Sequence, residues 1–431
     1  MLLIYTHKIT PRFSFVMKQI FDRILGIEVQ FTAKVEDFIK HTGAKITYTK
    51  LPLQNEFFVR SNDLLFEQGI NDLQIKVHDW EGVPCFFNAG ERSVIPFDIF
   101  SASFYLLSRY EEYLPHVKDV HGRFPPSESI AYKNQFLEIP VVDIWARKLL
   151  VKLKARFPDL ESRKSGYSFT SIIDVTTSHC YAHKGVVRSL AGLVLDLTSL
   201  RLRRIFERIS VWFTPEKDPY NNYSWLIAKH QEYHIISMFF FQFADYSTFD
   251  KNVSTTNNRF KFLIKSISDY SIVSLCASYS SFHDTALLKK EKKKLSNVIN
   301  RPLNYSRLRY NRVDVPVTYR NLVDAEFTDD FTMGYTHEIG FRASTCTPFY
   351  FYDINLEVQQ PIKIHPFAVH DYAFSKLNNL HEATVRMDDL YAQVKIVEGD
   401  FITIFSNELL GTKGSISWKA LYEYVIKNYN V

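Results

Sequence analysis

Cysteine is scarce in this sequence, and where it occurs it is scattered. The 431 residues hold four, Cys85, Cys180, Cys276 and Cys346, none in a Cys-x-x-Cys spacing. That argues against a disulfide framework and fits a reducing compartment, the cytoplasm. Long apolar runs are missing too. No window reaches the roughly 18 residues of a membrane span, and the longest apolar stretch, Ile235 to Phe243, is strand-sized. The opening residues, MLLIYTHKITPRF, interrupt any apolar core with His7, Lys8 and Arg12, unlike a secretory leader. A surplus of charge is also absent: 52 basic against 47 acidic residues leave a net charge of +5. That balance argues against a dedicated nucleic-acid binder. The densest basic run, Lys289 to Lys294, lies beside Leu287, Leu288, Leu295 and Val298 at helical spacing and reads as a solvated helix face. There is no internal repeat and no low-complexity segment, and nothing in the sequence sets the oligomeric state.

Aromatic residues are what the chain has in plenty: 15%, with 36 Phe and 25 Tyr. They suit core filling first and the stacking of sugar rings second. The length predicts two or three domains. Strands are predicted at LLIYT, IEVQF, ITYTKL and LQIKV, with a helix from Phe13 to Ile24 and another from Phe97 to Leu114, ended by Pro115. The polar segment FPDLESRKSG, Phe157 to Gly166, predicts a boundary, giving an α/β domain over residues 1–160 and a second over 161–431. Beyond it strands (YSFTSIIDV, IISMFFFQF, SIVSLCAS, YSRLRY, FITIF) alternate with helices, the pattern of a mainly parallel sheet or barrel. In such folds chemistry sits at the carboxyl ends of the strands.

Four places carry residues suited to chemistry. Asp174 ends the strand in SIIDV; it is either a working carboxylate or the N-cap of the next segment. His179 and His183 in HCYAH are four apart, a zinc-binding spacing on a helix, although the acidic residue of a zinc-protease motif is missing. Arg342, in GFRASTCTPFYFYD, suits either a catalytic carboxylate or a structural salt bridge. His365, before Pro366, is either a general acid or a histidine hydrogen-bonded at a strand end. Arg109, Glu111 and Glu112 in RYEEY read as an internal ion network.

These segments together resemble a family. DIFSASFYLLSRYEEYL, DVHGRFPPSES, SIIDVTTSHCYAHKG, KDPYNNY, FTDDFTMGYTHEIGFRASTCTPFYFYDI and IHPF are similar to polysaccharide deacetylase-like proteins of Bacteroidetes, distant relatives of carbohydrate esterase family four. The resemblance implies an N-terminal α/β domain followed by a distorted (β/α) barrel of about seven strands. It also implies a hydrolase of amide C–N bonds on an N-acetylated amino-sugar glycan. By position Asp174 matches the family's base, Arg342 the arginine that orients it and His365 the acid. The family's divalent metal is held by a second aspartate and two histidines, and these do not carry over. Thr176 stands where the second aspartate would be, Cys276 or Ala277 where a histidine would be, and Ser280 lies four residues beyond. Zinc remains in play through Asp174 with Cys276 as a thiolate, or with His179 and His183 as substitute ligands. The alternative is a pseudoenzyme, a glycan-binding or scaffold protein without turnover.

Overall fold

A computed structural model of the chain describes residues 1–163, 166–377, 379–412 and 416–430. Lys164 and Ser165 of the expected boundary segment lie outside the described residues. The first sheet is parallel and four-stranded, ordered β2-β1-β3-β4, from β1 (Leu2–Tyr5), β2 (Val29–Thr32), β3 (Lys45–Thr49) and β4 (Phe57–Arg60). A hairpin of β5 (His78–Trp80) and β6 (Val83–Cys85) follows. The second sheet has nine strands: β7 (Ser168–Val175), β8 (Ser237–Gln242), β9 (Ile272–Ala277), β10 (Tyr305–Leu308), β11 (Asp329–Asp330), β12 (Phe349–Asp353), β13 (Val358–Ile364), β14 (Val369–His370) and β15 (Asp400–Ser406). Its order is β12-β13-β11-β10-β9-β8-β7-β15-β14, and every pairing is parallel except β12 with β13. Among the described residues β12 and β14 are edges, so the sheet curls as an open half-barrel, in keeping with the distorted barrel expected.

The predicted alternation holds because parallel neighbours need crossovers, and helices supply them. They span Tyr223–Glu232, Asn258–Ser268, Thr285–Ile299 and Val317–Asp324, and Leu380–Ile396 precedes β15. Phe239, Phe240 and Phe241 of β8 are all buried, as in a strand covered on both faces. In the N-terminal part, α1 (Pro11–Met17) starts where Thr10 Oγ1 accepts the Phe13 amide and Pro11 takes the first helical position. It buries Phe13, Val16 and Met17 and continues in a wider-wound turn, Lys18–Ile24.

Three local expectations change. LQIKV, Leu73 to Val77, is not a strand; the pairing starts one residue later, where Glu81 and Gly82, both at positive φ, close the β5–β6 turn. FFVR, not expected as a strand, is β4. The helix expected from Phe97 to Leu114 is α2 (Ile99–Leu107), capped by Asp98, and it breaks at Arg109, which is left-handed (φ 55°), before a single turn at Tyr110–Tyr113.

That break turns Arg109 toward the second sheet. Its Nε donates to Glu112 Oε1 at 2.7 Å, its Nη2 to Glu111 Oε1 at 2.8 Å, and its Nη1 to the Arg342 carbonyl. Arg342 itself grips Glu112 with Nε at 2.9 Å and Nη2 at 2.7 Å. The ion network expected for RYEEY therefore exists, with Arg342 as its fourth member. Other ties run alongside. Asp143, on α3 (Val141–Arg156), accepts the Cys346 amide and the Thr347 hydroxyl. Phe341 donates to the Leu137 carbonyl, so close to Gly340 (φ 118°) that a Cβ there would meet that oxygen at 2.4 Å. One apolar core runs through both parts, with Phe15 and Phe104 against Tyr352.

Burial pushes the Glu112 carboxyl up, but Arg342 and Arg109 outweigh it and hold it at about 2. Its folded value lies below the roughly 4.3 of an unfolded glutamate. The stabilisation is therefore present above about pH 4.3 and lost as pH falls through about 2. Glu112→Gln leaves two guanidinium groups short of a charge. It is expected to cost about 3–5 kcal/mol in urea unfolding at pH 7 and to lose this part of the acid sensitivity.

Candidate active site

The carboxyl end of the nine-stranded sheet gathers charge around Asp174, near the end of β7. Its neighbour is Arg307 of β10, whose Nε donates to Asp174 Oδ1 at 2.8 Å. The other guanidinium nitrogens are filled: Nη1 donates to the Phe331 carbonyl at 2.8 Å and Nη2 to Asn311 Oδ1 at 2.6 Å. On the other side His370, ending β14, brings Nε2 to 3.7 Å from Asp174 Oδ2, while its Nδ1 lies 2.8 Å from Asp371 Oδ1. Asp371 also accepts the Ser406 amide at 2.6 Å and the Ser406 hydroxyl at 3.1 Å, which fixes its carboxylate. All four charged side chains are buried, Asp174 being the most open at 6% exposure.

Burial raises the Asp174 carboxyl, but the Arg307 charge and the nearby His370 imidazole outweigh it and hold it well below the ordinary carboxylate range. Burial lowers His370, and the carboxylates of Asp174 and Asp371 beside it outweigh that, so its imidazolium persists above its ordinary pH range. The site therefore sets an ionised carboxylate beside an imidazole biased toward its protonated form.

A polar chain leads outward to the N-terminal part. Asn311 Nδ2 donates to Thr336 Oγ1 at 2.8 Å. Arg123 donates to the same oxygen at 3.1 Å and to the Tyr310 carbonyl at 2.8 Å, and Asp119 holds Arg123 at 2.7 Å. Beside it rings collect: His121 stacks on Tyr310 (centroids 4.6 Å apart) and Phe249 on Tyr279 (4.0 Å). His121 Nδ1 and Arg309 Nε are buried there without a hydrogen-bond partner among the described residues.

The set expected from the sequence is not the one assembled. Asp174 is at the carboxyl end as expected. Arg342 is not beside it, because Glu112 takes its guanidinium on both prongs. His365 points to the opposite end of the sheet: Nε2 sits 2.8 Å from Asp329, the first residue of β11, and its charge acts on Asp400, the first of β15. Arg307 and His370 stand in their places. Arg307 was legible only as one of two arginines on one face of SRLR, and His370 only as part of the His-Asp pair in AVHDY. Neither short stretch carries a spacing that marks it as chemical.

The expected metal ligands do not gather either. HCYAH is a loop, not a helix, although the rings of His179 and His183 meet at 4.9 Å. Burial pushes His179 down to about 4. Asp218 accepts the amides of Cys180, Tyr181, Ala182 and Tyr220. Cys276 is raised by burial first and then by the Asp174 charge, which disfavours a thiolate. Thr176 donates to Glu408 at 2.7 Å, and Ser280 to Asp250 at 3.3 Å. Among the described residues no three His, Cys, Asp or Glu side chains converge as a cation site. A resident divalent metal does not fit these residues, since Arg307 already occupies one oxygen of Asp174.

A family profile described as a family of unknown function (DUF7033) matches residues 2–158. No curated protein matches the chain. A solved structure described as a polysaccharide deacetylase from Mycobacterium smegmatis is similar at 14% identity, over 62% of this chain and 85% of its own, with a TM-score of 0.39. One so described from Pseudomonas aeruginosa PAO1 is similar at 10% identity over 61% and 84%, with a TM-score of 0.38. An allantoinase is similar at 10% identity over 61% and 83%, with a TM-score of 0.37. These likenesses are loose, and none bears on the chemistry at Asp174.

Because the folded value of His370 is raised, its stabilisation is complete below about pH 6.5 and is lost as pH rises through that raised value. Unfolding free energy measured from about pH 6 to 9 should fall in the wild type and fall less in His370→Asn. Arg307→Met should cost about 3–5 kcal/mol, and adding Asp174→Asn should recover part of that loss in a double-mutant cycle.

Proposed function

We propose that the chain is a metal-independent hydrolase that removes an acyl group from an N-acylated amino-sugar glycan. The observation that carries this is the approach of Asp174 Oδ2 to His370 Nε2 at 3.7 Å, with Oδ1 already committed to Arg307. One oxygen is thereby left to act as base toward a water, and a protonated imidazole lies beside it to act as acid. In this reading Asp174 takes the proton of the attacking water. His370 then delivers its proton to the departing amine nitrogen as the C–N bond breaks. Arg307 keeps Asp174 ionised and aimed, and Asp371 does the same for the imidazolium. The rings of Tyr310, Tyr279 and Phe249 supply faces on which a sugar can stack.

A second reading, glycan binding without turnover, is favoured by one feature: the Asp174 charge is already balanced and nearly closed off from solvent. Acetate release from acetylated chito-oligosaccharides by chelator-treated protein separates the two. Turnover that survives the chelator and drops about 10²–10⁴-fold in Asp174→Asn and in His370→Asn supports the hydrolase. The rate should also fall at alkaline pH as His370 loses its proton. Oligosaccharide binding with no acetate release assigns the second reading.

A further inference from the structure

The segment after β7 carries an amphipathic pattern turned inside out. In α4 (Val186–Thr198), Val187, Leu190, Val194 and Leu197 recur at intervals of three and four, one face of a helix, and all are exposed. In α5 (Leu202–Phe213), Leu202, Phe206, Ile209 and Phe213 do the same. Polar groups are among those hidden, Ser189 and Asp196 on α4, while Val211 is the one buried residue of α5. Asp196, 4% exposed, accepts from Arg208 Nη2 at 2.8 Å and Nε at 3.3 Å across the two helices. Gly192 makes that possible, since a Cβ there would lie 2.7 Å from the Arg208 guanidinium nitrogens. No other segment of the described chain exposes so many large apolar side chains. A hairpin settled in water alone would place these stripes inward, so its outward face suits an apolar medium.

Length and charge identify that medium. At 13 and 12 residues the helices run about 20 and 18 Å, short of a hydrocarbon core of about 30 Å. No described helix is long and apolar enough to cross a membrane. The hairpin can therefore lie on a bilayer but not through one. At its turn Leu200 and Leu202 are exposed among Arg201, Arg203 and Arg204. Arg203 pairs with Glu207, exposed on both sides, while Arg201 and Arg204 have no acidic partner among the described residues. Apolar side chains collared by unpaired guanidinium groups complement an anionic headgroup layer.

We propose that the α4–α5 hairpin seats this protein on an anionic lipid surface, with Leu200, Leu202 and Phe206 entering the interface and Arg201 and Arg204 meeting the headgroups. The test uses the full chain with vesicles of phosphatidylcholine alone and of phosphatidylcholine mixed with phosphatidylglycerol. Co-sedimentation is expected with the mixed vesicles, with a fluorescence blue shift that is absent in Trp212→Phe. Leu200→Glu with Phe206→Glu should lower binding at least about tenfold with the circular dichroism and thermal midpoint unchanged. Arg201→Glu with Arg204→Glu should abolish the preference for phosphatidylglycerol. Failure to bind either vesicle would overturn the proposal, as would undiminished binding by the Leu200→Glu, Phe206→Glu variant. So would a solution dimer that this variant dissociates while vesicles stay unbound, because the face would then belong to a second copy.

Discussion

The carboxyl end of the large sheet depends on a single buried pairing, Arg307 against Asp174. A carboxylate at the end of a buried strand needs a counter-charge, and in this chain a guanidinium supplies it. That choice has consequences on every side. It commits one oxygen of Asp174 and leaves the other toward His370. It draws Asn311, Thr336 and Arg123 into a chain of donors and acceptors. It also disfavours a divalent cation at Asp174, because a second positive charge would meet the first.

Much of the scaffold was legible in the sequence because it follows from local periodicity. β8, β9 and β15 are near-continuous apolar runs of strand length, and the helices of this part carry three- and four-residue spacing. What escaped was set by geometry that spacing does not encode. The break at Arg109 cannot be read from FSASFYLLSRYEEY, whose apolar pattern continues straight through. The left-handed residue is held by contacts to Glu112 and to the Arg342 carbonyl far along the chain. β11 and β14, two residues each, are too short to have a period.

The site was half legible for the same kind of reason. Asp174 could be found because a carboxylate after three buried residues at a strand end is unusual in itself. Arg342 and His365 were sound as chemical types, but each is used up locally, one by Glu112 and the other by Asp329. Arg307 and His370 become visible only when sheet order is known, since β10 and β14 lie on opposite sides of β7 and converge on it from both flanks. The loop around Arg123 gains its meaning the same way, as the N-terminal part's reach to the rim of the larger sheet.

The Arg109–Glu112–Arg342 cluster also constrains how the chain comes off the ribosome. Glu112 is separated from Arg342 by 230 residues. At about 5–20 residues per second, Glu112 waits roughly ten to fifty seconds with Arg109 alone before its second guanidinium partner has been synthesised. Through that interval Glu111, Glu112 and the apolar surface around Phe104 lack their final cover. Completion of this cluster therefore depends on residues from the last third of the chain.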